Sequence, residues 1–369
     1  MCHKRIPVIV FSLFSTILLF LLAGCQAETD LPVIVARIVD KEGNAYIEAV
    51  SLNSHDQYPL VKVDSGSSLT GKAAVNSDHD LFVNTNFYIK IISRISPDGT
   101  YEMKELPVVT DFHTLIVQDK LILVPYWQEG MIVVSQDLSL RTIALPENTS
   151  QSDYNYVISI VRGKGDEVMI VYALPIEKDG EWYARVLVVD IESEKVTEKM
   201  LSVPSTGVFL EGEPVHSDLK YYLQIKGASP DLSKILYCYE YLKADTFFPK
   251  LALYSVGDGK ELLLKDYCCS GCNFTQYKDK IITLDSPNDG CDGPDLLSME
   301  GLEPVFDLTK LLDDSDSYRV TIHPHGDNWT IATFVRVLVV SPKGELLKSY
   351  DLPPEFVGSP YDVAAPFED

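Results

Sequence analysis

Four cysteines lie close together in the second half of the chain: Cys268, Cys269, Cys272 and Cys291. In an oxidising compartment such a cluster reads as disulfide candidates, with adjacent Cys268 and Cys269 going to different partners. Two other readings stay open: Cys269-x-x-Cys272 has the spacing of a zinc pair, although a second such pair is missing, and the thiols could be free. Cys238 stands in the apolar run 235–239 and reads as a buried strand residue. Residues 285–295 (DSPNDGCDGPD) offer the oxygen ligands that Ca²⁺ takes, but Pro287 occupies a ligand position and the spacing is not that of an EF-hand, so a solvated turn is expected. His323, His325 and Asp327 are the remaining metal candidates. Residues i and i+2 of a strand share a face, so both imidazoles could reach one ion; against this, Pro324 suggests that the strand is ending. No cofactor is called for, Ca²⁺ or Zn²⁺ being the alternatives. No Gly-x-Ser-x-Gly is present, no phosphate-binding glycine loop precedes a helix, and Ser65-Gly66-Ser67 lies in a polar loop without a local partner, so no catalytic residue is assigned.

The N-terminus determines which compartment those cysteines meet. Lys4 and Arg5 precede a run, 6–22, that is apolar apart from Ser12, Ser15 and Thr16, which is the pattern of a secretory signal. It ends in Leu22-Ala23-Gly24-Cys25. Those four residues resemble the lipobox of bacterial lipoproteins. The resemblance implies cleavage before Cys25, lipidation of Cys25 with palmitate among the acyl chains, and anchoring at the bacterial cell membrane or outer membrane on the extracytoplasmic face. Several acyl chains hold a protein far more firmly than one. On this reading 1–24 is the signal peptide and 25–31 a lipidated tether.

Charge excludes some partners. The chain of 369 residues has 54 acidic and 31 basic residues, a net charge of −23. Loss of 1–24 removes two cations and no carboxylate, making it more negative still. A nucleic-acid binder needs a basic face, and adhesion to anionic lipid needs basic clusters. Neither is present in the composition.

The rest of the chain is organised around a strand–turn–strand unit. Its clearest copies are 92–107 (ISRISPDGTYEMKELP), 133–146 (VVSQDLSLRTIALP) and 339–353 (VVSPKGELLKSYDLP). Looser copies lie at 47–61, 188–204, 253–266 and 297–308. The clearest copies each have an apolar β-rich run, a serine, a short polar turn, and a second alternating run that stops at Leu-Pro. In Ser96-Pro97-Asp98-Gly99 the proline fixes φ, the aspartate bonds nearby backbone and the glycine accepts positive φ. The terminal Leu-Pro suits the end of an edge strand, where no ladder donor is missed. A hairpin alone is marginal, so repeats at about 40–60 residues imply repeated larger sheets, four strands each.

The expectation is therefore an all-β chain: a single β-propeller of about seven four-stranded blades over 32–352. The C-terminal tail, 353–369, either crosses back over the first blade or lies loose. The segment 64–80 reads as a polar connection and 243–249 as a long loop. Blade rhythm and Ser-Pro-Asp-Gly turns resemble bacterial exported β-propellers of the WD40-like, TolB-like or quinoprotein-like kind. There is no repeated Trp-Asp or Gly-His pair, and Trp127, Trp182 and Trp329 are too few for regular tryptophan docking. The anchor and repeat together point to a non-enzymatic binding or scaffold module of the cell envelope with a protein or glycan partner. The alternatives are an extracytoplasmic propeller enzyme acting on a glycan, lactone or peptide, and a sugar- or peptide-capturing lipoprotein.

Overall fold

The computed structural model describes residues 31–69, 72–86, 90–108, 112–126, 130–146, 157–203, 222–243, 246–266, 274–277, 280–283, 295–298, 304–306, 310–313, 316 and 320–367. They contain no α-helix, and so none long and apolar enough to cross a membrane. The described strands form seven sheets, each built on four antiparallel strands; these are consecutive in the chain except in blade 1, which takes one from the C-terminus, and blades 2 and 4 carry additional short strands. The fold is an all-β propeller of seven blades.

Blade 3 shows the plan. Its strands run outward as Phe112–Val117, Lys120–Pro125, Met131–Ser135 and Leu140–Ile143. Side chains alternate across a strand, so the second strand presents Leu121 and Leu123 to one side and Ile122 and Val124 to the other. The first pair packs in a core shared with blade 2, the second in a core shared with blade 4. Blade 4 repeats this in Glu167–Tyr172: Val168 and Ile170 face blade 3, Met169 and Val171 face blade 5. A strand buried on both faces cannot alternate apolar and polar residues, which is why LILVP, MIVV, VMIVY and RVLVV are continuous apolar runs. The outermost strands meet water and read differently: Tyr101–Glu105 and Leu346–Asp351 are almost wholly exposed.

Shared cores also join other neighbouring blades. One joins blades 1 and 2, another blades 7 and 1, and Val305 of blade 6 packs against the blade 7 core around Trp329 and Ile331. Closure is made by the C-terminus. Asp362–Val363 pairs with Ile34–Lys41 and becomes the innermost strand of blade 1 (Val35 opposite Val363). Ala365–Pro366 then pairs in parallel with Ala74–Val75 of blade 2. The two ends of the chain are thus combined in adjacent sheets, with Phe367 set edge-on against Phe82 at 5.1 Å.

All seven sequence copies of the hairpin are the outer two strands of a blade. Their turns share a construction. In blade 2 the Ser96 amide donates to Thr100 and the Gly99 amide to Ser96; blade 3 repeats it with Ser135, Leu138 and Ser139, and blade 7 with Ser341, Gly344 and Glu345. An aspartate beside the turn accepts a backbone N–H: Asp98 from Thr100, Asp137 from Ser139, Asp190 from Ser193.

Three local expectations are corrected. The segment 64–80 is not only a connection, because Ala74–Val75 inside it is a strand of blade 2, between Ala365–Pro366 and Leu81–Asn86, and Ser68–Leu69 also pairs with Leu81–Asn86. The expected loop at 243–249 is strand instead: Lys234–Lys243 and Thr246–Ser255 form one long hairpin, with Lys243 opposite Thr246. Pro324 does not end its strand. Thr321–His325 runs through it, with Pro324 opposite Trp329. This strand is the edge of its sheet, where a residue without an N–H costs no ladder bond.

Candidate functional site

Strand direction gives the ring two unlike faces. Turns joining first to second and third to fourth strands all lie on one face, here the turn face. Connections from second to third strand and from blade to blade lie on the other. Neighbouring turns are stitched together on the turn face: Tyr58 donates to the His79 carbonyl, Arg94 to Gln136, Lys104 to Leu138, and Arg141 to Ile191. The chain also enters on this face. Leu31 is held there by Asn53, whose Nδ2 donates to its carbonyl at 3.4 Å, and its Cδ1 lies so close to Gly326 that a Cβ on that glycine would sit 2.8 Å away.

The first strands of the sheets approach one another around the axis. Where blades 7, 1 and 2 meet, three charged or titratable side chains from distant parts of the chain converge. His323 comes from the innermost strand of blade 7, Asp362 from that of blade 1, and Lys72 stands two residues before that of blade 2. His323 Nε2 lies 3.8 Å from Asp362 Oδ1 and 3.1 Å from Thr321 Oγ1. The Lys72 amide donates to Thr114 Oγ1 of blade 3 at 2.9 Å, which fixes the lysine's backbone against the next blade. Burial holds the Lys72 ammonium below its usual pKa, and the Asp362 carboxylate pulls it part of the way back. Asp362 is opposite Ala36, near where the chain enters, and His323 is the middle residue of its strand, so the group lies part-way along the axis between the turn face and the distal face opposite it. This cluster, where blades 7, 1 and 2 meet, is the candidate site.

The sequence candidates are distributed as follows. His323 and His325 do share a face, opposite Ile322, which packs into the blade 7 core. Both are buried, whereas Asp327 is exposed in the turn that follows, so the three are not brought together. Among the described residues no group of three His, Cys, Asp or Glu side chains could hold a metal ion. Cys238 is buried in the second strand of blade 5 and forms no disulfide. Cys25, Cys268, Cys269, Cys272 and Cys291 lie outside the described residues, as do the signal segment and all of 285–295 except Asp295, which opens a strand of blade 6. Sequence reasoning missed Lys72, Thr114, Thr321 and Asp362. No spacing could have found them, because each comes from a different strand or its approach and only ring closure joins them.

Other polar groups near the channel have structural duties. His113 bonds the Val157 carbonyl at 2.8 Å and stacks on Tyr126 at 4.1 Å; burial pushes its pKa down, which keeps it neutral at pH 7. On the distal face Asp316, fully buried, accepts from Thr333 Oγ1 at 2.8 Å and from Arg336, which also reaches Asp313.

No protein-family model matches the chain, and no curated protein does. Among solved structures it is similar to BamB from Moraxella catarrhalis, at 12% identity over 85% of this chain and 87% of that one, with a TM-score of 0.37. It is also similar to virginiamycin B lyase from Staphylococcus aureus with quinupristin, at 12% identity, 79% and 86% coverage and a TM-score of 0.43. A third is the Dos1 propeller, at 11% identity, 85% and 79% coverage and a TM-score of 0.42. At these identities and scores the likeness extends to architecture and carries no role for any residue. The fold assignment rests on the strand order of this chain itself.

Proposed function

We propose that the protein is a lipid-anchored, non-enzymatic binding or scaffold module of the bacterial cell envelope, presenting the distal mouth of its channel to a partner. The observation that carries this reading is the position of Leu31. It is six residues from Cys25 and is held on the turn face, which leaves the distal face turned away from the anchor. A six-residue tether spans at most about 20 Å. A propeller held so closely by one face leaves the other free, and propeller function is built where loops converge on a rim or channel. Acidity of the whole chain fits a body that stands off an anionic lipid surface and is held to it by acyl chains.

The test has two arms. Cys25→Ala is expected to abolish labelling by a palmitate analogue and to release the protein from membranes on fractionation. Unchanged labelling would falsify the anchor. Cross-linking in intact cells, followed by purification of the lipidated protein and mass spectrometry, is expected to recover one specific envelope component, lost when distal-face residues are altered. A partnerless protein that turns over a glycan, lactone or peptide would move the assignment to the enzyme reading.

A further inference from the structure

We propose that the outer rim of blades 7, 1 and 2 is a membrane-contact surface: it rests on the phospholipid bilayer that holds the acyl chains, and tilts the propeller against it. The proposal rests on the lipid-anchor reading and adds to it the part of the body that touches the membrane. Its first support is the placement of exposed apolar side chains. Among the described residues the large ones are Leu60, Tyr101, Leu262, Leu346, Leu347 and Val357. Such residues scattered singly need no explanation, but four of these six stand on three consecutive blades. Leu346 and Leu347 open the outermost strand of blade 7, and Tyr101 that of blade 2, each directly after a turn on the turn face. Leu60 immediately precedes the outermost strand of blade 1. All four are between 45% and 56% exposed.

The second support is where the tether leaves the body. Leu31 lies at the junction of blades 7 and 1, against Gly326 of the one and Asn53 of the other. Asn53 Nδ2 also donates to the Tyr350 hydroxyl, 3.2 Å away on the outermost strand of blade 7. Leu347 is three residues along that strand from Tyr350, about 10 Å. The tether and the apolar rim therefore share one sector of the ring. A tether of six residues, at most about 20 Å, keeps that sector beside the bilayer. Contact becomes intramolecular, so a footing of a few side chains suffices where a free protein would need a larger one. Charge selects the same sector. On the turn face every turn of blades 2 to 5 carries an Asp or Glu, and Lys164 and Lys195 are the only lysines in those turns. Anionic headgroups repel such turns. At the rim of blades 7 and 1, Lys62, Lys343 and Lys348 accompany the leucines and offset Asp56 and Glu345. Lysine stems lie along apolar surface while their ammonium groups reach phosphates. The chain as a whole is too acidic to adhere to lipid unaided, so contact is confined to this rim and held by the anchor.

The experiment uses the full chain, its acylation at Cys25 checked by mass, in vesicles of phosphatidylethanolamine and phosphatidylglycerol. Leu347→Trp is expected to be quenched by bromine carried on the acyl chains, beyond any quenching of the wild type's own tryptophans. Val357→Trp is expected to escape it. Val357 lies toward the distal face, where the neighbouring Gly358 amide donates to the Phe334 carbonyl at 3.1 Å. A second measurement needs no substitution in the rim. An amine reagent is expected to modify Lys343 and Lys348 severalfold more slowly on vesicles than in the unanchored Cys25→Ala protein, while exposed Lys178 of blade 4 reacts alike in both. Finally, a photoreactive residue in place of Leu346 is expected to cross-link to phospholipid in intact cells. An acylated protein with no quenching at Leu347→Trp, equal quenching at Val357→Trp, or unchanged reactivity of Lys343 and Lys348 would overturn the footing and leave the anchor standing. A cross-link from position 346 to a protein or to a second copy of this chain would overturn it too, by giving the rim to that partner. A Cys25 without acyl chains would overturn the anchor and the footing together.

Discussion

At the scale of single residues, the turn aspartates do more for this fold than their exposure suggests. Asp98, Asp137, Asp190 and Asp231 each accept backbone N–H groups beside a turn; these bonds, preceded for Asp231 by one from the Ser229 hydroxyl, hold all four carboxyls below the usual aspartate pKa. A carboxylate whose folded pKa is depressed contributes stability that is fully present above its unfolded pKa, about 4. That stability is lost as pH falls through the folded values. The urea midpoint is therefore expected to hold between pH 7 and 5 as far as these groups are concerned, and to fall steeply below about pH 4. Replacing Asp98 and Asp137 by Asn should flatten the acid limb of that profile. An unchanged acid limb would show that the four bonds are made equally well by the neutral acid. Asp98 was legible in the sequence as a turn former, since its role is local and needs only two or three neighbouring residues.

Elements were legible where their energetics are local or two-sided. The outer hairpins show in the sequence because a buried third strand, a turn with fixed chemistry and an exposed fourth strand follow each other directly. One turn elsewhere, between inner strands, is not optimal. Glu42 and Gly43, between the second and third strands of blade 1, both have positive φ, at 57° and 77°. Glu42 is exposed, and a left-handed conformation costs most non-glycine residues energy that asparagine largely avoids. Glu42→Asn is expected to raise stability by about 0.5–1 kcal/mol, read as a higher melting temperature with an unchanged unfolding slope. A lower melting temperature would mean that Glu42 makes a contact worth more than the backbone strain. Short innermost strands were the elements that sequence reading lost. Ala74–Val75 has two residues and no alternation to show, and only its partners in blade 2 and the C-terminal tail make it a strand. Pro324 misled for a related reason: whether a proline ends a strand depends on whether the sheet continues beyond it.

At the scale of the molecule, stability depends on a closure made twice, once on blade 1 and once on blade 2. Val363 and Ala364 are buried in the cores on either side of blade 1, and Ala365 in the core between blades 2 and 3. Tyr361 packs beside Phe356 and donates to the Thr333 carbonyl of blade 7. Deleting 361–369 is expected to remove the innermost strand of blade 1 and expose the apolar faces of three blades. Cooperative thermal unfolding should be lost or shifted down by many degrees, with an enlarged hydrodynamic radius. A truncated chain that melts as the full one does would show that the tail only lies on a ring closed by other means. The same closure creates the candidate site, because Asp362 reaches Lys72 and His323 only when the tail is in place.

By itself the sequence determined the class of fold, the number of repeats, the turn chemistry and the pattern of buried runs. Those properties follow from side-chain periodicity and from hydrogen bonds between near neighbours, which a linear string records. Only the tertiary structure decided which residues stand together at the axis. Lys72, His323 and Asp362 are separated by 251 and 39 positions, and nothing local marks any of them. Their meeting is a consequence of closing seven sheets into a ring, a constraint that acts on the whole chain at once and leaves no periodic trace in it.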